Sequence, residues 1–274
     1  MPKAKTNKRI LITGASTGIG RSATEILARS GDTVYACARK TSDLQELAKI
    51  PHVIPLLLDV TSREQIQAAV QKLEAEAGSL DALVNNAGIS VSGPLMDIPE
   101  EEMRAQFEVN VFGITNLTQA LFPLLHKAKG RVINISSIAA RLVTPFLGPY
   151  CMSKFALEAY SDALRRELGP LGMKVVIVQP GPTKTAIWGK TDPNTEIYAG
   201  SVFEERAKKI GKMMIERADS NAIPAEDVGF VIYEAIHAPR PKTRYLITPE
   251  KLPQLLLSKM PDSVIDLALS QVLG

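Results

Sequence analysis

Tyr150 and Lys154 stand four apart in Tyr150-Cys151-Met152-Ser153-Lys154. The next stretch, Phe155-Ala156-Leu157-Glu158-Ala159-Tyr160, reads as helix, and helical positions i and i+4 share one face, so the phenol and the ammonium become neighbours. Such a pair can carry a proton. A free phenol ionises near pH ~10, and lowering its pKa by roughly 3 units takes roughly 4 kcal/mol of differential stabilisation. One cation about 4 Å away, at an effective dielectric near 20, supplies about that much. The expectation is a tyrosine whose pKa Lys154 lowers.

Thirteen residues before Tyr150, the apolar run Arg131 to Ile135 leads into Ser136-Ser137. The Ser137 hydroxyl can donate to an oxygen that gains negative charge during a reaction. By itself a serine pair after a strand is also ordinary loop chemistry.

These residues must be carried by a repeating scaffold. Short apolar or β-branched runs at Arg9 to Thr13, Thr33 to Ala38, His52 to Leu58, Asp81 to Val84, Arg131 to Ile135 and Met173 to Val178 alternate with helical patterns. Ile10-Leu11-Ile12 and Val175-Val176-Ile177-Val178 are continuous apolar runs, as in strands buried on both faces. Ser62 before Arg63-Glu64-Gln65, and Pro99 before Glu100-Glu101-Glu102, mark helix starts, Pro99 at a first helical position. The reading is an α/β fold: a doubly wound parallel sheet of Rossmann type with helices on both faces. With 274 residues, 45% of them hydrophobic, a single domain over 1–274 is expected. Within it, 183–218 reads as a substrate lid containing a helix from about Phe203 to Arg217. A further helix from Pro224, a short strand near Arg244 to Ile247 and an apolar tail over 249–274 follow.

Directly after the first run comes Thr13-Gly14-Ala15-Ser16-Thr17-Gly18-Ile19-Gly20, opening a segment whose apolar face includes Ile19, Ala23, Ile26 and Leu27. Glycines so placed let backbone N–H groups and a helix N-terminus approach a pyrophosphate. Gly14, Ser16, Thr17, Gly18, Ile19 and Gly20 are the candidate contacts. An acid at the end of the second strand of a dinucleotide fold accepts ribose hydroxyls, whereas a cation there suits the 2′-phosphate of NADP. Here that strand ends in Arg39-Lys40, with no acid before Asp43. NADP(H) is therefore the expected cofactor, and an ordinary surface arginine is the alternative reading of Arg39. Asp59-Val60, after the third strand, can accept from an adenine amine, with helix capping as the rival role for Asp59. Asn86-Ala87-Gly88 follows the fourth strand at the same carboxyl edge.

The glycine motif, Asp59-Val60, Asn85-Asn86-Ala87-Gly88, Ser137, Tyr150-x-x-x-Lys154 and Pro180-Gly181, in this order, closely resemble the short-chain dehydrogenase/reductase family from Arg9 to about Thr185. The resemblance implies an oxidoreductase moving a hydride between NADP(H) and a carbonyl or alcohol carbon. Tyr150 would be the general acid/base, Lys154 would lower its pKa and hold the nicotinamide ribose, and Ser137 would orient substrate. Asn110, in Glu108-Val109-Asn110-Val111-Phe112-Gly113, matches an asparagine that positions a water and Lys154 in a proton relay. Pro180, Gly181 and Thr183 fall near the cofactor's carboxamide and phosphates, with Thr185 the alternative to Thr183. A homodimer or tetramer through the helices after strands four and five is implied as well.

Ile187, Trp188, Ile197, Tyr198, Val202, Phe203, Met213 and Met214 give the lid an apolar surface suited to a lipophilic steroid-, retinoid- or fatty-type substrate, or else to core packing. Pro241 to Tyr245 and the leucine-rich tail are similar to the ends of steroid- and retinol-type members. Core packing is the first expectation for that tail; pocket cover, subunit pairing or peripheral membrane contact are the others. A net charge of +3 with scattered basic residues argues against nucleic acid, and no run is long enough for a membrane span. Two cysteines fit free thiols in a reducing, cytoplasmic setting, and the three histidines lack metal-ligand spacing. The chain length argues against an epimerase or dehydratase with a larger C-terminal domain. An NADP(H)-binding regulator or scaffold without turnover is the remaining alternative.

Overall fold

The computed structural model describes residues 7–185, 198–249, 251–257 and 260–273. Alternation along β1 (Arg9–Ile12) sets the layers: Ile10 and Ile12 are buried in one apolar cluster and Leu11 in another, because successive strand side chains point to opposite faces. The remaining strands are β2 (Thr33–Ala38), β3 (Val53–Leu57), β4 (Ala82–Asn85), β5 (Arg131–Ile135), β6 (Lys174–Pro180) and β7 (Arg244–Ile247). All pair in parallel, in the order β3-β2-β1-β4-β5-β6-β7. The expected doubly wound sheet is present, with strand ends moved by a residue or two.

The helices are α1 (Gly18–Arg29), α2 (Thr41–Leu47), α3 (Arg63–Glu76), α4 (Glu100–Phe107), α5 (Ile114–Ala128), α6 (Gly148–Leu168), α7 (Glu204–Asn221), α8 (Ala225–His237), α9 (Lys251–Leu257) and α10 (Asp262–Leu273). Helices α1 and α8 cover one face through Ala23, Leu27, Val228, Ile232 and Ile236. Helices α3, α5 and the end of α6 cover the other through Ile66, Leu73, Leu117, Leu121 and Leu168. Each fully buried Leu or Ile contributes about 2 kcal/mol by leaving water, so these two layers fix the sheet between them. The Ser62 hydroxyl caps α3 by accepting from Gln65 N at 3.2 Å. Pro99 is the N-cap residue of α4, one position earlier than expected.

A buried polar ladder holds α5 and α6 in place at the middle of the sheet. Asn85 Nδ2 donates to Thr118 Oγ1 (3.1 Å) and to Asn134 Oδ1 (2.8 Å), and Asn134 Nδ2 donates to Ser161 Oγ (2.8 Å). Since β1 lies between β2 and β4, winding reverses there, and the carboxyl ends of β1 and β4 flank the crevice where ligands bind in such sheets.

The tail meets the core-packing expectation only in part: Leu255, Leu257 and Ile265 are half-buried, whereas Leu256, Met260, Val264 and Leu267 are exposed. Among the described residues no helix is long and apolar enough to cross a membrane.

Candidate active site

At the β1–α1 turn, Gly14 and Gly18 adopt left-handed backbone (φ +64° and +55°), which glycine enters without the Cβ penalty. A side chain at Gly20 would collide with the Gly14 carbonyl oxygen. The start of α1 therefore lies directly against the turn. Thr17, its N-cap residue, makes no side-chain cap, and the first turn carries no acid; α3, by contrast, has both Ser62 and Glu64. Helix starts leave orphan N–H donors, and here, among the described residues, the N-cap side chain does not fill them and no first-turn acid repels an anion. The residues present thus fit the pyrophosphate of a dinucleotide. Gly20→Ala should weaken cofactor binding at least about tenfold and cost about 1–3 kcal/mol of stability through overpacking. Titration by fluorescence quenching, together with thermal unfolding, checks both.

Two side chains lock that turn to β4. Thr13 Oγ1 accepts from Asn86 N (3.0 Å) and Ala87 N (2.9 Å). Asn86 Nδ2 donates to Thr13 O (2.9 Å) and Gly14 O (3.1 Å). Asn86, expected as a cofactor contact, thus spends its amide nitrogen on the glycine turn. Thr13 was not among the expected site residues; its place as the last residue before the glycines was the available signal.

Arg39 and Asp59 meet at the ends of β2 and β3, with Arg39 Nη1 3.8 Å from Asp59 Oδ2 and the Arg39 side chain 63% exposed. The guanidinium is positioned by the carboxylate yet open to a ligand. Asp59 does not cap α3: its Oδ1 accepts from Thr61 N (2.9 Å) and Thr61 Oγ1 (2.7 Å). Val60 is buried against Gly113.

On α6, Tyr150 and Lys154 are neighbours as the spacing required. Lys154 Nζ lies 5.5 Å from the Tyr150 ring centroid and donates to Ile135 O at 2.9 Å. The Ser137 hydroxyl lies close enough to the Tyr150 phenol to favour its ionisation and accepts from Ala139 N at 3.1 Å, capping a short 3-10 turn, Ile138–Ala140. The electrostatics differ from expectation. Burial pushes the Tyr150 phenol up to about 12, against the pull of Ser137. Burial also pushes the Lys154 ammonium down to about 8, with the Glu158 carboxylate pulling the other way. Desolvation outweighs the simple pair because the ammonium faces the ring and the Ile135 carbonyl.

Asn110 is fully buried in a π-helical turn, Glu108–Gly113, between α4 and α5, the kind of helical defect found at functional sites. Its Oδ1 accepts from Ile89 N (2.9 Å), and its Nδ2 donates to Ile89 O (3.0 Å) and Ser153 Oγ (3.1 Å). A Cβ on Gly88 would stand 3.3 Å from Asn110 Oδ1 and 3.8 Å from Lys154 Nζ. Asn110 therefore ties the loop after β4 to α6 beside the lysine.

Beyond β6, Gly181 N donates to Ile247 O at 2.8 Å. Thr183 is buried, with its hydroxyl donating to Gly181 O at 3.0 Å. Thr185 instead packs on Gly18 of the glycine turn. Geometry thus favours Thr185 over Thr183 as the threonine nearest the phosphate cradle. Of the apolar lid residues, Ile187, Trp188 and Ile197 lie outside the described residues, as does the Met214 side chain. Tyr198 is buried near Gly93, whereas Val202 and Met213 are exposed.

The model of the family described as short chain dehydrogenase matches residues 8–196. The chain belongs to the short-chain dehydrogenase/reductase family. It is 38% identical to the NADPH-dependent 3-dehydrocapnine reductase of Ornithobacterium rhinotracheale, over 93% of this chain and 94% of that one. It is 37% identical to the 3-ketodihydrosphingosine reductase of Bacteroides thetaiotaomicron, over 95% and 96%. Retinol dehydrogenase 5 of Homo sapiens is 34% identical over 97% and 89%, in line with the resemblance of the tail to retinol-type members.

This short-chain dehydrogenase/reductase also carries an apolar rim that sequence patterns did not single out. Leu95 packs on Gly148, two residues before Tyr150. Gly93 N donates to Phe146 O at 2.8 Å, joining the β4–α4 loop to the β5–α6 loop. Leu95, Met96 and Val143 on these loops are exposed. Their signal was apolar residues in connections at the carboxyl edge, where loops carry binding.

Proposed function

We propose that this enzyme is an NADPH-dependent reductase of lipophilic ketones or aldehydes. The observation carrying the proposal is the Ser137–Tyr150 hydroxyl pair beside buried Lys154, at the same sheet edge as the uncapped start of α1. A nicotinamide dinucleotide held there would supply the hydride that the carbonyl carbon takes up. Ser137 donates to the carbonyl oxygen and orients it. Tyr150 gives that oxygen its proton, completing the alcohol, and the phenoxide left behind is stabilised by Lys154 across the ring face. Asn110 holds the loop and helix that frame this exchange. Gly14, Ser16 to Gly20 and Thr185 would hold the phosphates, Asp59 and Val60 the adenine, Ala87 and Gly88 the ribose side, and Pro180 and Gly181 the carboxamide.

NADPH preference is supported by exposed Arg39 at the end of β2 and by the name of the Ornithobacterium relative. A lipophilic substrate is supported by Leu95, Met96 and Val143 at the rim and by relatives whose names are those of ketodihydrosphingosine and retinol enzymes. Exposed Phe112, Met152 and Phe155 on the π turn and α6 support a homo-oligomer, and the buried free thiols of Cys37 and Cys151 suit a reducing cytoplasm. Arg39→Asp should shift the NADPH to NADH ratio of kcat/KM by about 10- to 100-fold toward NADH, the worth of one or two charge-assisted hydrogen bonds. An unchanged ratio would remove Arg39 from the cofactor site.

A further inference from the structure

The turn that carries Ser137 ends at Arg141, and Arg141 Nε donates to Gln179 Oε1 at 3.0 Å. Gln179 lies on β6 and is only 1% exposed. Its Nε2 donates to Glu158 Oε1 at 2.8 Å. Glu158 sits on α6 one helical turn beyond Lys154 and two beyond Tyr150, and its Oε2 accepts from Arg244 Nε of β7 at 3.0 Å. Arg244 Nη2 continues to Asp162 Oδ1 at 2.9 Å. One buried amide therefore links the segment bearing the substrate-orienting hydroxyl to the helix bearing the proton donor. Both of its bonds are charge-assisted, and such bonds are about twice as strong as neutral ones. The amide must also point one way, with oxygen toward the guanidinium and nitrogen toward the carboxylate.

We propose that Gln179 is a positioning residue for reduction: with Arg141 and Glu158 it sets Ser137 against Tyr150, and Arg244 anchors the far end. The proposal rests on the reading of Ser137 and Tyr150 given above. It also accounts for Arg244, which the tail-motif resemblance left without a role. A displacement of about 1 Å between reacting groups can cost on the order of 100-fold in rate, so a clamp acting on that pair is felt in kcat before it is felt in cofactor binding.

The test compares wild type, Gln179→Glu, the exchanged pair Gln179→Glu with Glu158→Gln, and Tyr150→Phe, all with NADPH bound. Gln179→Glu keeps shape but sets two carboxylates side by side; the exchanged pair restores donor and acceptor with the charges swapped. Readouts are kcat and KM on 3-ketodihydrosphingosine and a panel of aliphatic and aromatic ketones, the NADPH Kd, and deuterium exchange of the peptide spanning 137–146. Gln179→Glu is expected to lower kcat about 10- to 100-fold, with KM and NADPH Kd within about twofold and faster exchange in 137–146. The exchanged pair is expected to recover both. Unchanged kcat and exchange in Gln179→Glu, or no recovery in the exchanged pair, would overturn the clamp. Wild-type-like turnover by Tyr150→Phe, or no turnover by the wild type, would instead count against the proposed function, and the exchange data would then decide the clamp alone.

Discussion

Lys154→Met, in the protein without cofactor, should unfold at a higher temperature than the wild type while losing about 100-fold or more in turnover. The reason is the direction in which burial has moved the ammonium, from its ordinary 10.5 down to about 8. Near pH 7 the lysine is charged in both states, and keeping that charge buried costs about 3 kcal/mol at 1.36 kcal/mol per unit. Methionine removes this cost but leaves Ile135 O without its donor, a loss of about 1 kcal/mol. The net gain is about 2 kcal/mol, or roughly 4 to 8 °C for a chain of this size. The sign with pH follows from proton counts. Between about pH 8 and pH 10.5 the unfolded chain holds the lysine proton and the native protein has released it, so wild-type stability rises with pH in that window. The advantage of Lys154→Met should shrink in the same window. Tyr150, raised to about 12, acts oppositely: above about pH 10 the unfolded chain loses the phenol proton first, and stability falls as pH rises further. Melting curves at pH 7 and pH 9 check the account. A variant less stable than wild type by the same amount at both pH values would show that Lys154 holds the fold together and is not a buried charge kept for chemistry.

Tyr150→Phe should lower turnover by about three to four orders of magnitude, the upper range for loss of a positioned proton donor, with little change in melting temperature. The ring stays and fills the same space beneath Lys154. Only the hydroxyl leaves, and the Ser137 oxygen beside it still accepts from Ala139 N. NADPH affinity should remain within about fivefold, since a lost neutral hydrogen bond is worth about 1 kcal/mol at most here. Steady-state kinetics and a cofactor titration on the same preparation separate the two effects. Residual activity above about a tenth of wild type would assign the proton to another group.

What the sequence showed most directly were features set by local rules. Continuous apolar runs gave the strands, the glycines gave the turn before α1, and the i, i+4 spacing put Tyr150 and Lys154 on one face. The glycine turn was legible because φ near +60° and the close approach at Gly20 leave almost no other residue possible. Features set by distant partners were not. Asn110 was legible only through the family resemblance, as a member of a proton relay; its π turn and its side-chain bonds to Ile89 and Ser153 were not. The choice between Thr183 and Thr185 depended on which one the chain returns to Gly18. Gln179 was simply the residue before Pro180 until Arg141 and Glu158 arrived at its two ends. The pKa expectation failed for the same reason: spacing places the lysine near the tyrosine but says nothing about how much water the fold removes from both.

The most direct test of the central claim is to follow deuteride from NADPH carrying deuterium at both nicotinamide C4 positions into product by mass spectrometry, across 3-ketodihydrosphingosine and steroid, retinoid and simple ketones. The account predicts an alcohol carrying deuterium on the carbinol carbon, formed faster with NADPH than with NADH and nearly absent with Tyr150→Phe. Alcohol without deuterium would contradict direct hydride transfer from the cofactor, and no alcohol from any lipophilic carbonyl despite tight NADPH binding would make the protein a cofactor-binding regulator.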